Sequence, residues 1–398
     1  MPTLTPREYD AAERIALTNM PNRIVECVQT VIFNQNGYPT RVGTDKELVR
    51  YAEAIAESGF EERFDVQLEG FTPEEFDQWQ AVWAKALEFT DKSFNRLVLP
   101  RSSLIAGMNV WRHIKYLYGE QRPRTLEVGP GSGHFGALLQ IDDFPYAATD
   151  ITQAFYLVQN HYWNSITNDG VVELAYGGDP ATAFANLAPG APVHIPWWVF
   201  KQLLPDTPPQ FDLVVCNHAL CEMHDWSCRY FLELAKQALQ GQPHERKLFV
   251  FEGWGWSAPH DRERVLKLFL KNDFRMVHHD LLIAVFALEG SNDAVHCCGF
   301  PQQIQEQTAI LNDQGGLELV TQVRESYATI FYENELNPVS KAITDGRRAL
   351  EPRRVIKRDQ IETLATALLQ TEDHRTDDEK FWGLIGMAEH VGSADPTR

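Results

Sequence analysis

The chain has 398 residues, is 44% hydrophobic and 23% charged, and carries a formal net charge of −19. That length supplies a large core and two or three folding units. The acidic balance argues against nucleic acid or an anionic membrane surface as partner, because both draw on concentrated Lys and Arg. One short basic stretch, Arg347 to Arg358, reads as a solvated surface that offsets the acidic remainder. No apolar run approaches 18 residues, so no membrane span is expected. The opening MPTLTPREYDAAERIAL is charged and amphipathic and does not read as a secretory signal. Cys27, Cys216, Cys221, Cys228, Cys297 and Cys298 form no C-x-x-C pair. Reduced thiols and a cytoplasmic setting follow as the simplest expectation, with no metal site.

Residues 1–120 read as a helical region, a substrate lid or a dimerisation element. Thr72 is placed as a helix cap, Pro73 as the first helical residue and Glu74 and Glu75 as first-turn acids. Phe76, Trp79, Val82, Trp83 and Leu87 recur at three-to-four spacing and give one buried face. A second helix is predicted from a Ser cap in RSSLIAGMNV to a stop at Gly119. Strand grammar begins at 124. TLEV, YAATDI, FDLVVCN and KLFVFEGWG are short apolar runs, each followed by a turn and most by a helical pattern. Strands without polar alternation are buried on both faces, which predicts a parallel sheet covered by helices. Residues 121–290 are therefore expected as an α/β, doubly wound, Rossmann-like domain, and 291–398 as a mixed α/β extension.

The first of these strands runs into RTLEVGPGSGHFGALL. Gly131, Gly133 and Gly136 fit the dinucleotide pattern G-x-G-x-x-G, whereas Glu127, Gly129, Gly131 and Gly133 fit acidic-x-G-x-G-x-G. Glycines let backbone approach a ligand, and the helix that follows aims its first amides at it. The neighbours discriminate. Glu127 complements the cationic amino group of S-adenosylmethionine (SAM) and is a poor neighbour for a pyrophosphate. Asp150, at the end of the next strand, suits the two hydroxyls of an adenosine ribose.

Residues 124–252 resemble a class I SAM-dependent methyltransferase, through LEVGPGSG, the strand-end Asp150 and FDLVVCNHALCEM before a helix. HIPWWVFKQLLP, FDLVVCN and ALCEM together are similar to the sugar O-methyltransferase family, although NHALCEM departs from its Asn/Ser-rich form. The resemblance implies a cofactor shell of Glu127, Gly129, Pro130, Gly131, Gly133, Asp150, Ile151, Ile195, Trp197 and Asn217. For the adenine, Asp179 is the alternative to the Ile195–Trp197 segment. The implied activity is methyl transfer from SAM to a small polar acceptor, a sugar or a secondary metabolite, by a chain that is a monomer or a homodimer. A NAD-dependent oxidoreductase and a catalytically silent binding protein of the same fold are the alternatives.

CNHALCEMHDWSC lies after the fourth of these strands and is dense in reactive side chains. His218 and Glu222, four apart, would share a helix face, giving a general base oriented by a carboxylate. His224 is the next candidate. Glu252 is expected to hydrogen-bond a polyol, with Trp254 or Trp256 stacking on its apolar face. His278, His279, Cys297 and Cys298 receive no role.

Overall fold

The computed structural model describes residues 3–19, 38–53, 64–167, 169–203, 210–240, 246–253, 262–279, 283–291 and 337–371. Helix α1 spans Pro6–Asn19. Helix α2 spans Pro73–Phe94 and begins as its sequence dictates. The Thr72 hydroxyl accepts from the Glu75 amide at 3.2 Å and the Glu75 carboxylate accepts from the Thr72 amide at 2.9 Å, a reciprocal cap that satisfies two orphan donors. Helix α3 covers Ser102–Tyr118 and stops at Gly119, φ 60°. Its cap residue is Arg101, with Ser102 already helical, so the helix starts earlier than the Ser-capped start predicted. Arg112 of α3 is buried. It donates to both oxygens of Glu75 and to the carbonyls of Leu68 and Gly70, so a charge removed from water is fully paired.

The sheet has eight strands: β1 Thr125–Val128, β2 Tyr146–Asp150, β3 Val172–Glu173, β4 Val193–Pro196, β5 Leu213–Asn217, β6 Leu248–Glu252, β7 Phe274–His279 and β8 Ile283–Leu288. Their order is β3-β4-β2-β1-β5-β6-β8-β7. Every pairing from β3 to β6 is parallel, and β8 runs antiparallel between β6 and β7. The central strands are buried along their length, as their unbroken apolar runs predict. The β7–β8 pair was not anticipated from the sequence.

Helices cover both faces. Helices α4 (His134–Ile141) and α5 (Gln153–Ile166) join the N-terminal helices on one side, packing on Ala148, Val215 and Val250. Helices α6 (Asp225–Gln240) and α7 (Arg262–Lys271) cover the other, on Val214, Cys216 and Phe249. Helices α8 (Pro338–Leu350) and α9 (Arg358–Thr371) return to the N-terminal side. There Val339, Ile343, Ile361 and Ala365 enter the same core as Trp79, Trp83 and Met108. Phe71 and Ile356 form an antiparallel bridge.

Candidate active site

The strand order reverses around β1, whose neighbours are β2 and β5. Open parallel sheets bind ligands at such a switch point, beyond the carboxyl ends of the strands. The Gly-rich turn begins there. Gly129, Gly131 and Gly133 have φ of 74°, 57° and 80°, the left-handed region that costs other residues strain. Their tasks differ. A Cβ on Gly129 would collide with the Cβ of Ala219, and one on Gly136 would lie 2.7 Å from both Trp163 and the Tyr146 hydroxyl. Nothing lies within 4 Å of a Cβ built on Gly131, so this glycine faces open space. Pro130 shapes the turn by accepting the Gly133 amide at 2.9 Å.

Two buried carboxyls flank that opening. Glu127 accepts from the Tyr146 hydroxyl on one oxygen and from Asn217 Nδ2, at 3.1 Å, on the other. Burial pushes its carboxyl up to about 8 against those two hydrogen bonds, and the nearby Asp150 adds to the rise. Asp150 ends β2. Its Oδ1 accepts from the amide and hydroxyl of Thr152, both at 2.9 Å, and its Oδ2 from Gln159 Nε2 at 3.0 Å. Burial raises this carboxyl too, against those hydrogen bonds.

A parallel sheet with a glycine turn after its first central strand, and acids closing the first two strands, decides the fold. It is a Rossmann-like, doubly wound α/β fold of the kind that class I methyltransferases share.

No family model matches this chain, and no curated protein matches it. Solved structures of similar fold include the magnesium protoporphyrin IX methyltransferase of Synechocystis PCC 6803 with bound SAM, at 15% identity and TM-score 0.31, covering 62% of this chain and 99% of that one. The ribosomal protein L11 methylase of Lactobacillus delbrueckii subsp. bulgaricus is 15% identical with TM-score 0.27, over 46% of this chain and 76% of its own. The pyocyanin biosynthetic protein PhzM is 13% identical with TM-score 0.30, over 60% and 76%. These likenesses are loose, and the fold assignment rests on the sheet and turn of this chain.

Within that fold the remaining residues take their places. Ile151, half-buried, follows Asp150 and packs against both cores. Ile195 is buried in β4, paired with Thr149. Trp197 is fully buried, its indole N–H donating to Glu13 of α1 at 2.7 Å. Asp179 is exposed and caps the turn Pro180–Ala185, accepting from the amides of Ala181 and Thr182.

His218 corrects the sequence reading. It precedes the short helix Ala219–Glu222 as its cap residue, with φ 61° and ψ −29°. The four-apart rule requires both residues to be helical, so the His218–Glu222 pairing lacks its basis. The partner is Glu252 on the adjacent strand β6. His218 Nδ1 lies 2.7 Å from Glu252 Oε2, and the His218 amide donates to the Glu252 carbonyl at 2.9 Å. The Glu252 side chain is completely buried, while that of His218 is 30% exposed, so the imidazole is the part of the pair that meets solvent. The β5–β6 register places Asn217 beside Glu252. Gly253, φ 97°, admits the ring: a Cβ there would sit 3.1 Å from His218 Cδ2.

Glu222 still lies close to the site. Burial pushes its carboxyl up to about 7, with His218 pulling it down and Asp150 pushing it up. His224 is exposed and serves as a helix cap, its Nδ1 accepting the Trp226 amide at 3.3 Å. Asp225 pairs with Arg264 at 2.6 Å. His278 is buried with Nδ1 3.2 Å from the Ser340 hydroxyl, a seat for α8. Trp254, Trp256, Cys297 and Cys298 lie outside the described residues. Among the described residues no three His, Cys, Asp or Glu side chains converge to hold a metal.

Proposed function

We propose that this chain is a SAM-dependent methyltransferase that acts on a hydroxyl of a small polar acceptor, a sugar or a secondary metabolite. The observation that supports this most is the pair of buried carboxyls, Glu127 and Asp150, on either side of a glycine turn whose Gly131 faces open space. These residues fit SAM: Glu127 suits its amino group, Asp150 its ribose hydroxyls, and Gly131 leaves room for close approach. A nicotinamide dinucleotide would bring a doubly charged pyrophosphate toward two buried carboxyls that offer it no positive charge. When bound, SAM supplies an electrophilic methyl group.

The protein must align the acceptor and take its proton. His218 is placed for the second task. Glu252, its carboxylate 2.7 Å from Nδ1 as an ion-pair neighbour, would stabilise the imidazolium, which leaves Nε2 to take the acceptor's proton. This pair favours an active enzyme over a silent binding protein of the same fold. Glu222, with its carboxyl near neutrality, serves as a second polar contact for the acceptor.

The test is calorimetry with SAM, S-adenosylhomocysteine and NAD, followed by incubation with methyl-labelled SAM and a panel of monosaccharides and hydroxylated aromatics. Binding of SAM and transfer of label to one of these acceptors is the expected result. Binding of NAD without SAM would refute the reading.

A further inference from the structure

Behind Asp150 lies a chain of buried polar groups that the proposed chemistry does not use. Gln159, on α5, donates from one Nε2 to two acceptors: the Gly131 carbonyl at 2.6 Å and Asp150 Oδ2 at 3.0 Å. One amide thus ties the glycine turn to the strand-end carboxylate. Its other end, Oε1, faces His194 Nε2 at 3.2 Å. The opposite nitrogen of that ring, Nδ1, faces Glu173 Oε2 at 3.1 Å. Both Gln159 and His194 are completely buried.

The donor inventory decides the protonation. Flipping the Gln159 amide would set its oxygen against a carbonyl and a carboxylate, so Oε1 must point at His194 and must accept. His194 Nε2 is therefore a donor. Glu173 accepts from the Tyr156 hydroxyl and the Ala175 amide on one oxygen, and from Asn160 Nδ2 at 2.8 Å on the other. His194 Nδ1 is the fourth group that this carboxyl meets. The groups facing this ring are Glu173 at the end of β3, Asp150 from β2, and Gln159, Tyr156 and Trp163 from α5. Tyr156 stacks on it at 3.7 Å between centroids and 9° between planes, and Trp163 meets it edge-on at 5.0 Å. These two rings and Glu173 fix the plane of the imidazole.

We propose that His194 is a positioning residue, a buried imidazole whose Nε2–H holds Gln159 and, through it, keeps Asp150 and the Gly131 turn in the geometry that binds the ribose end of the cofactor. This rests on the SAM reading. The sequence offers one signal for it, a histidine inside the otherwise apolar strand VHIP.

The test has two parts. In histidine-labelled native protein at pH 7, nitrogen NMR should show an imidazole protonated at Nε2, and that signal should vanish in His194→Phe. Calorimetry with S-adenosylhomocysteine should show affinity about tenfold weaker in Gln159→Leu, the loss expected for a charge-assisted hydrogen bond. His194→Phe should weaken binding comparably, and the double variant should be no weaker than Gln159→Leu alone, because the two act in series. A His194 without a proton on Nε2 in the native chain would overturn the proposal even if His194→Phe fails to fold. So would undiminished binding by both variants, or additive losses in the double variant. Failure of the native chain to bind S-adenosylhomocysteine would overturn the cofactor reading and this proposal with it.

Discussion

Glu127 should release a proton when an adenosyl cofactor binds. Its carboxyl is completely buried and titrates at about 8. At pH 7 such a group is about nine-tenths protonated. A cationic amino group beside it favours the ionised form, so binding should expel up to about 0.9 proton per site at pH 7, falling to about 0.1 at pH 9. Calorimetric titration with S-adenosylhomocysteine in two buffers of different ionisation enthalpy measures this directly. The apparent binding enthalpies should diverge at pH 7 and converge toward pH 9. Glu127→Gln has no proton to give, so its enthalpies should agree in both buffers and its affinity should fall about tenfold, the cost of one charge-assisted hydrogen bond. Glu222, near 7, is the other group able to contribute. Release that persists unchanged in Glu127→Gln would move the effect to Glu222 and refute the placement of the amino group at Glu127. Equal enthalpies for the native chain at pH 7 would refute the cation–carboxyl contact itself.

The same carboxyl bears on stability without ligand. The unfolded chain gives up this proton near 4.5 and the folded chain near 8, so stability should fall as pH rises through that window, by up to about 1.4 kcal/mol per pH unit. Thermal melts of native chain and Glu127→Gln should show the variant with the flatter profile, and parallel profiles would count against it. Asp150→Ala removes the proposed ribose acceptor and should weaken S-adenosylhomocysteine at least about tenfold; unchanged affinity in calorimetry would place the ribose elsewhere. His218→Ala should lower turnover by about 10²–10⁴ with any acceptor the native chain methylates, with little change in SAM affinity. Glu252→Gln should cost less, because it orients the ring and does not carry the proton, and equal rates for both variants and the parent across pH 6–9 would remove the pair from the mechanism. A chain starting at residue 121 lacks Trp79, Trp83 and Met108, which share one core with the sheet, and should fail to fold. A soluble, active truncation would instead make the N-terminal region a dispensable lid.

What the sequence shows plainly is local. The glycine turn, Glu127 and Asp150 are legible because strand ends and glycine spacing lie within a few residues of each other. The cap at Thr72 and Pro73 is legible for the same reason. What it hides is set by strand order. His218 and Glu252 meet because β5 and β6 are neighbours in the sheet, whereas the sequence offers Glu222 by a spacing rule that a residue at φ 61° does not obey. Gln159, Glu173 and His194 sit on a helix and two strands, and only the folded sheet brings them to Asp150. The β7–β8 pair went unseen because no Gly, Pro or Asn marks a turn between FRMVHH and IAVFAL, which only DLL separates.

The return of α8 and α9 to the N-terminal helices has a consequence for synthesis. Arg354 reaches back 238 positions to donate to the Tyr116 hydroxyl, and Val339, Ile343 and Ile361 seal a core begun by Trp79 and Trp83. At about 5–20 residues per second, a ribosome takes roughly 12–48 s to make that span. The strands of the sheet, from Thr125 to Leu288, are made during this interval, yet the face of α3 that α8 covers waits for its partner. The nascent chain therefore carries a sticky surface for most of its translation, and its yield in a cell should depend on the chaperones that shield that surface until the late helices arrive.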